Sequence, residues 1–111
     1  MSGCLKPTVY IPIGSQAVVT FDMTPRLQSG ELLSGTPTVV DDNSTGELSL
    51  SNKQVNTVAD TENEIAIGKA VQFMISTTST TCKEYEIATE VETNGTPVQT
   101  LADKMIVVFH D

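Results

Sequence analysis

From Lys83 to Thr93 the sequence KEYEIATEVET alternates with a period of two: Tyr85, Ile87, Thr89 and Val91 fall on one parity, Glu84, Glu86, Glu90 and Glu92 on the other. A strand sends successive side chains to opposite faces, so this segment has one face for a core and one for water. Asn94-Gly95 follows, a dipeptide suited to the two positive φ values of a type I′ turn, and DKMIVVFH then reads as an antiparallel partner strand. A β-hairpin with an acidic outer face is expected. Like charges along one strand also discourage pairing with another edge.

The remainder of the chain repeats this pattern in shorter pieces. SQAVVTFDM puts Val19 and Phe21 on one face and Val18 and Thr20 on the other. TPRLQSGELLSG, with Pro25, Gly30 and Gly35, reads as a loop with at most one short helical turn before a strand around Thr36 to Val40. DDNSTG is a turn, because these residues accept left-handed backbone or bond their own main chain. ELSLSNKQV is a strand with Leu48 and Leu50 inward, and NTVADTENE a connection between sheets. AVQFMIST turns Val71, Phe73 and Ile75 inward, and STTSTT returns the chain. Short strands, frequent turns and almost no helical period predict an all-β protein, a two-sheet antiparallel sandwich, with a small barrel as the alternative.

Residues 1–14 are set apart as an extended arm, with the sandwich domain over 15–111. Pro7 and Pro12 each withhold a ladder donor, so TVYIPIG is apolar but broken, able to pair only at an edge. Val9, Tyr10, Ile11 and Ile13, with Lys6 before them, are the candidate partner-binding residues. Left free they would form a sticky surface.

Composition agrees with one lean domain: 111 residues, 39% hydrophobic but only 5% aromatic and without Trp, so Val, Ile and Thr must fill much of the interior. Fourteen Asp and Glu against six Lys and Arg give a net charge of -8, which repels phosphate backbones and anionic lipid. Neither nucleic acid nor a membrane is expected as a partner. MSGCLKPTVYIPIG lacks the features of a secretory signal, and no apolar segment precedes Cys4 as a lipidation signal would require, so use without export is expected. Cys4 and Cys82 read as reduced thiols, with a bridge between them as the alternative.

The search for chemistry is short. His110 is the only histidine and stands beside the terminal residue, so Ser-His-Asp and Cys-His arrangements have no support. No phosphate-binding glycine motif is present. Asp41, Asp42, Asn43 and Glu47 offer hard oxygens but not calcium-loop spacing, and the Glu84 to Glu92 ladder lacks a pocket to raise one pKa. The reading is of no enzyme, no metal and no cofactor. Asn94-Gly95-Thr96 matches a glycosylation pattern, but the turn already explains its first two residues.

The order of these elements resembles a family of small immunoglobulin-like proteins encoded among the virion genes of tailed bacteriophages. The resemblance lies in AVVTFDMTPRLQSGELLSG, KAVQFMISTTSTTCKEYEIATEVETNG and DKMIVVF, over roughly Ala17 to Phe109. Asp22 follows the first strand, Gly30, Glu31 and Leu32 lead into the next, and Gly68 enters an apolar strand. Thr80 and Thr81 precede Tyr85, Ile87 and Thr89, and Gly95 enters the last strand. Met23 to Arg26 stand where a tryptophan is common, and the proline-containing arm has no counterpart. The resemblance implies an immunoglobulin-like sandwich and a non-enzymatic virion component assembled in the host cytoplasm. It would be a decoration protein on the capsid exterior, bound to the major capsid protein or another virion protein in many copies, with a homo-oligomer as a further option. A tail or neck adaptor holding fibres and a carbohydrate-binding adhesion module are the alternatives.

Overall fold

The computed structural model describes residues 7–111. The described residues form seven strands: β1 Thr8–Pro12, β2 Ala17–Asp22, β3 Leu33–Asp41, β4 Leu48–Val55, β5 Ala70–Thr77, β6 Lys83–Thr93 and β7 Thr100–His110. One 3-10 turn, Thr24–Arg26, is the only helical element among the described residues. The strands form two sheets, ordered β1-β7-β6-β3 and β2-β5-β4, packed as a β-sandwich. Every ladder is antiparallel except that of β1 with β7, which is parallel.

The inward parities read from the sequence hold. Val19 and Phe21 oppose Phe73 and Val71 in the β2–β5 ladder, and Ile75 completes this side of the core. From the other sheet come Tyr85, Ile87, Thr89 and Val91, all buried, with Met105, Val107 and Phe109 from β7. The rings of Tyr85 and Phe109 meet edge to face at 5.9 Å, a favourable alignment of their quadrupoles. Met23, fully buried, fills the interior just beyond β2.

Three expectations need correction. The first concerns TVYIPIG, read as broken and able to pair only at an edge: it does pair at an edge, but as a continuous strand, Thr8–Pro12 of the four-stranded sheet. The two prolines bracket this strand instead of breaking it: the Pro7 carbonyl accepts from Ile106 N at 2.8 Å, and beyond Pro12 the amide of Ile13 donates to His110 O at 2.7 Å. An edge strand tolerates proline because one side of it has no ladder to complete.

The second concerns the β6–β7 connection. Glu92 opposes Thr100, and Thr93 N donates to Gln99 O at 2.8 Å, so the loop runs over residues 94–98 and β7 begins three residues earlier than expected, at Thr100 instead of Asp103. Neither Asn94 nor Gly95 has a positive φ. The type I′ turn is absent because Asn94 is engaged elsewhere: Leu32 N donates to its Oδ1 and its own N donates to Leu32 O, both at 2.9 Å.

The third correction is the place of β6. It lies between β7 and β3, so its glutamates do not guard an edge; they stand in the middle of a sheet face.

Candidate functional site

The outer face of the four-stranded sheet is organised by the ladder registers. Toward the β1 side, Tyr10 lies beside Val108 and Thr8 beside Ile106, and these β7 residues oppose Glu84 and Glu86. Farther along, Lys104, Ala88 and Val40 share one row, and Ala102, Glu90 and Thr38 the next. Tyr10 is 68% exposed and Val40 44%. A lane of apolar and hydroxyl side chains thus crosses an acidic strand. Between β3, β6 and β7 the face dips into a shallow trough lined by Thr38, Val40, Ala88, Glu90, Ala102 and Lys104.

Lys104 is the cation of this face. Its Nζ lies 3.0 Å from Asp42 Oδ2 and 3.8 Å from Glu86 Oε1. The hydrogen bond to Asp42, and then the charges of Asp42 and Glu86, hold its pKa above the ordinary lysine value. Glu84, Glu90 and Glu92 are exposed. Side chains two apart on a strand stand ~7 Å from one another, so the carboxylates form a spaced row and not a chelating cluster. Among the described residues no group of three or more His, Cys, Asp or Glu is placed to hold a metal ion.

The five partner-binding candidates separate by face. Ile11 is 3% exposed and belongs to the core, and Val9 and Ile13 pack against that core. Tyr10 alone of the described four points fully outward. Lys6 lies outside the described residues, as does Cys4, while Cys82 is a free, exposed thiol.

At the end of the sandwich that carries the β3–β4 and β5–β6 turns, Glu47 joins three strands. Its Oε1 accepts from Lys83 Nζ at 2.6 Å and Tyr85 OH at 2.7 Å, and the Tyr85 oxygen is also 3.0 Å from Thr77 Oγ1. Lys83 and then Tyr85 draw the Glu47 pKa below the usual carboxylate value, and the same Glu47 bond raises that of Lys83. Asp41 closes its own turn, accepting from Asn43 N at 3.1 Å and from the amide and hydroxyl of Thr45. Partial desolvation pushes its pKa up, but these donors outweigh it and leave the net shift downward. The carboxylates that looked like calcium ligands are spent on structure.

At the opposite end, Asn56 is 2% exposed and uses its whole amide. Nδ2 donates to Val58 O and Ala66 O, and Oδ1 accepts from Lys69 N and Ala70 N, which shapes the β4–β5 connection. Glu31, 7% exposed, accepts from Gln28 N at 3.0 Å and lies against Gly95. Arg26 reaches from the 3-10 turn to Asp103 Oδ2 at 2.7 Å, covering the flank of β7 that β1 does not reach. The sequence carried no signal for Asn56, which sits in an unpatterned polar stretch.

Comparison with known proteins finds no matching family model, no matching curated protein and no matching solved structure. The outer face of the four-stranded sheet is shallow and charged, and among the described residues no buried polar side-chain atom lacks a hydrogen-bond partner.

Proposed function

We propose that this chain is a non-enzymatic structural protein of a tailed-phage virion, an immunoglobulin-like sandwich that decorates the capsid exterior in many copies. The strand order supports the immunoglobulin-like reading: four strands face three, and the first strand runs parallel to the last. Tyr85 supports it too. It stands near the start of the sixth strand and closes its hydroxyl onto Thr77 across the preceding corner, much as the corner tyrosine of such sandwiches bonds back upstream. Here the partners are the side chains of Thr77 and Glu47 instead of the main chain. The virion assignment rests on the sequence resemblance over Ala17 to Phe109.

The contact surface differs from a free arm. Since Ile11 is committed to the core, what β1 can offer a partner is its outward side, Thr8 and Tyr10, continuous with Ile106, Val108 and the β6 glutamates. The structural observation that carries the contact face is this row of acids on a central strand, with the exposed Tyr10 on the same face one strand away across β7. Carboxylates there protect no edge, and they give the face a charge that selects a basic partner surface.

The test is to add purified chain to particles lacking it and measure what co-sediments with heads and with isolated tails. Saturable binding to heads, weakened by Tyr10→Ala with Glu90→Gln, is expected. Binding to tails alone would replace decoration by the adaptor reading, and binding to neither would overturn the virion proposal.

A further inference from the structure

Glu31 is 7% exposed, yet only one oxygen of its carboxylate is bonded: Oε1 accepts from Gln28 N at 3.0 Å. Among the described residues Oε2 has no hydrogen-bond partner, and no fully buried side-chain oxygen is left without one, so Oε2 is the atom through which this acid meets solvent. It does so in a cleft of about 380 Å³ between residues 28–31, ahead of β3, and the β6–β7 loop. The cleft lies at the end of the sandwich, beyond the last rung of the β6–β7 ladder at Glu92 and Thr100. Glu31 is the only charged side chain that lines it.

The rest of the lining has few donors to offer. The amides of Gln28, Glu31, Asn94, Gly95 and Gln99 all donate within the fold, and Pro97 has none. The carbonyls of Thr96 and Pro97 accept no bond among the described residues. Glu31 Oε2 and Pro97 O stand 2.3 and 3.5 Å from the point that a Cβ on Gly95 would take, so the glycine leaves open the space that both acceptors border. Two neighbouring acceptors, one of them charged, fit a cation that donates and does not accept.

We infer that this cleft receives one arginine side chain of a protein partner. A guanidinium carries its donors in a rigid planar fork suited to paired acceptors, whereas an ammonium acts as a point charge. Calcium would need roughly six to eight oxygens closing to about 2.3–2.6 Å, which one carboxylate in a cleft this wide does not supply. The Asn94 oxygen is already held by Leu32 N. The site is apart from the outer face of the four-stranded sheet and does not depend on the capsid assignment.

A net charge of -8 draws cations to the whole surface, so location and saturation identify the site. The test is to titrate the isotopically labelled full chain with N-acetyl-arginine amide to about 50 mM and follow its amide resonances. Saturable shifts confined to residues 28–31 and 94–99 are expected, with a Kd on the order of 1 mM for one side chain without the rest of its partner. Glu31→Gln removes the charge and keeps the shape, and Gly95→Ala places a methyl against Oε2; each should weaken binding about tenfold or more, the worth of one charged hydrogen bond. Glu90→Gln should not. Whichever of the two variants keeps the wild-type core resonances decides the matter. Shifts that never saturate or that fall on β6, equal binding of uncharged N-acetyl-citrulline amide, or unaltered binding in the folded variants would overturn the inference. So would a response to agmatine without one to the blocked arginine, which marks a small-molecule site, or the same shifts with calcium chloride, which mark a metal.

Discussion

A Cβ added at Gly95 would stand 2.3 Å from Glu31 Oε2 and 3.5 Å from Pro97 O. The glycine is therefore demanded by a neighbour and not by its own dihedrals, a requirement the Asn-Gly dipeptide conceals. The Glu31 end can move aside, but only by giving up its bond from Gln28 N. Gly95→Ala should then cost about 0.5–1.5 kcal/mol, the net worth of one hydrogen bond, and cost much less in a Glu31→Ala background. Urea melts of the four proteins in that cycle decide it; an equal cost in both backgrounds would separate Gly95 from Glu31. In the core, Phe73→Ala should cost about 3–5 kcal/mol, while Glu90→Gln on the outer face stays within about 0.5 kcal/mol. Burial of Val71, Phe73, Tyr85 and Ile87 was legible because a strict period of two leaves one choice of face. Asn56 was not, since a polar residue becomes a hub only through carbonyls that distant parts of the chain bring to it.

At the scale of elements, β1 shows what local pattern omits. Its partner is the last strand, at the other end of the sequence, and no turn signal links chain ends. Two prolines in a short apolar run therefore read as a break, although they bound a strand. Ile11→Ala should destabilise the domain by about 2–5 kcal/mol, and removal of residues 1–13 should lower the melting temperature instead of leaving a sandwich unharmed. Thermal denaturation checks both, and an unchanged melting temperature would return β1 to the status of an arm. The Glu47–Lys83–Tyr85 tie between β4 and β6 gives a pH dependence. Glu47 has a lowered pKa, so its contribution is complete above the ordinary value of 4.5 and is lost as pH falls through the lowered one. Lys83 has a raised pKa, so its contribution is complete below 10.5 and is lost as pH rises beyond it. Glu47→Gln should flatten both limbs of a melting-temperature profile. A slope in acid should survive through Asp41 and Asp60, whose pKa values are also held low.

For the whole molecule, the all-β sandwich was legible from alternation and turn spacing, and the sheet order was not. That order changes the meaning of the acidic strand: on an edge, Glu84 to Glu92 would be protection, whereas between β7 and β3 they form the centre of a face. With Tyr10 on the same outer face, one strand away across β7, they form the surface through which the proposed decoration protein would meet its shell. Carboxyl footprinting of the chain free and bound to particles tests this most directly. The account predicts that Glu84, Glu90 and Glu92 lose labelling on binding while Glu62 and Glu64, in the β4–β5 connection, keep theirs. Protection of Glu62 and Glu64 with the β6 row still labelled would contradict it.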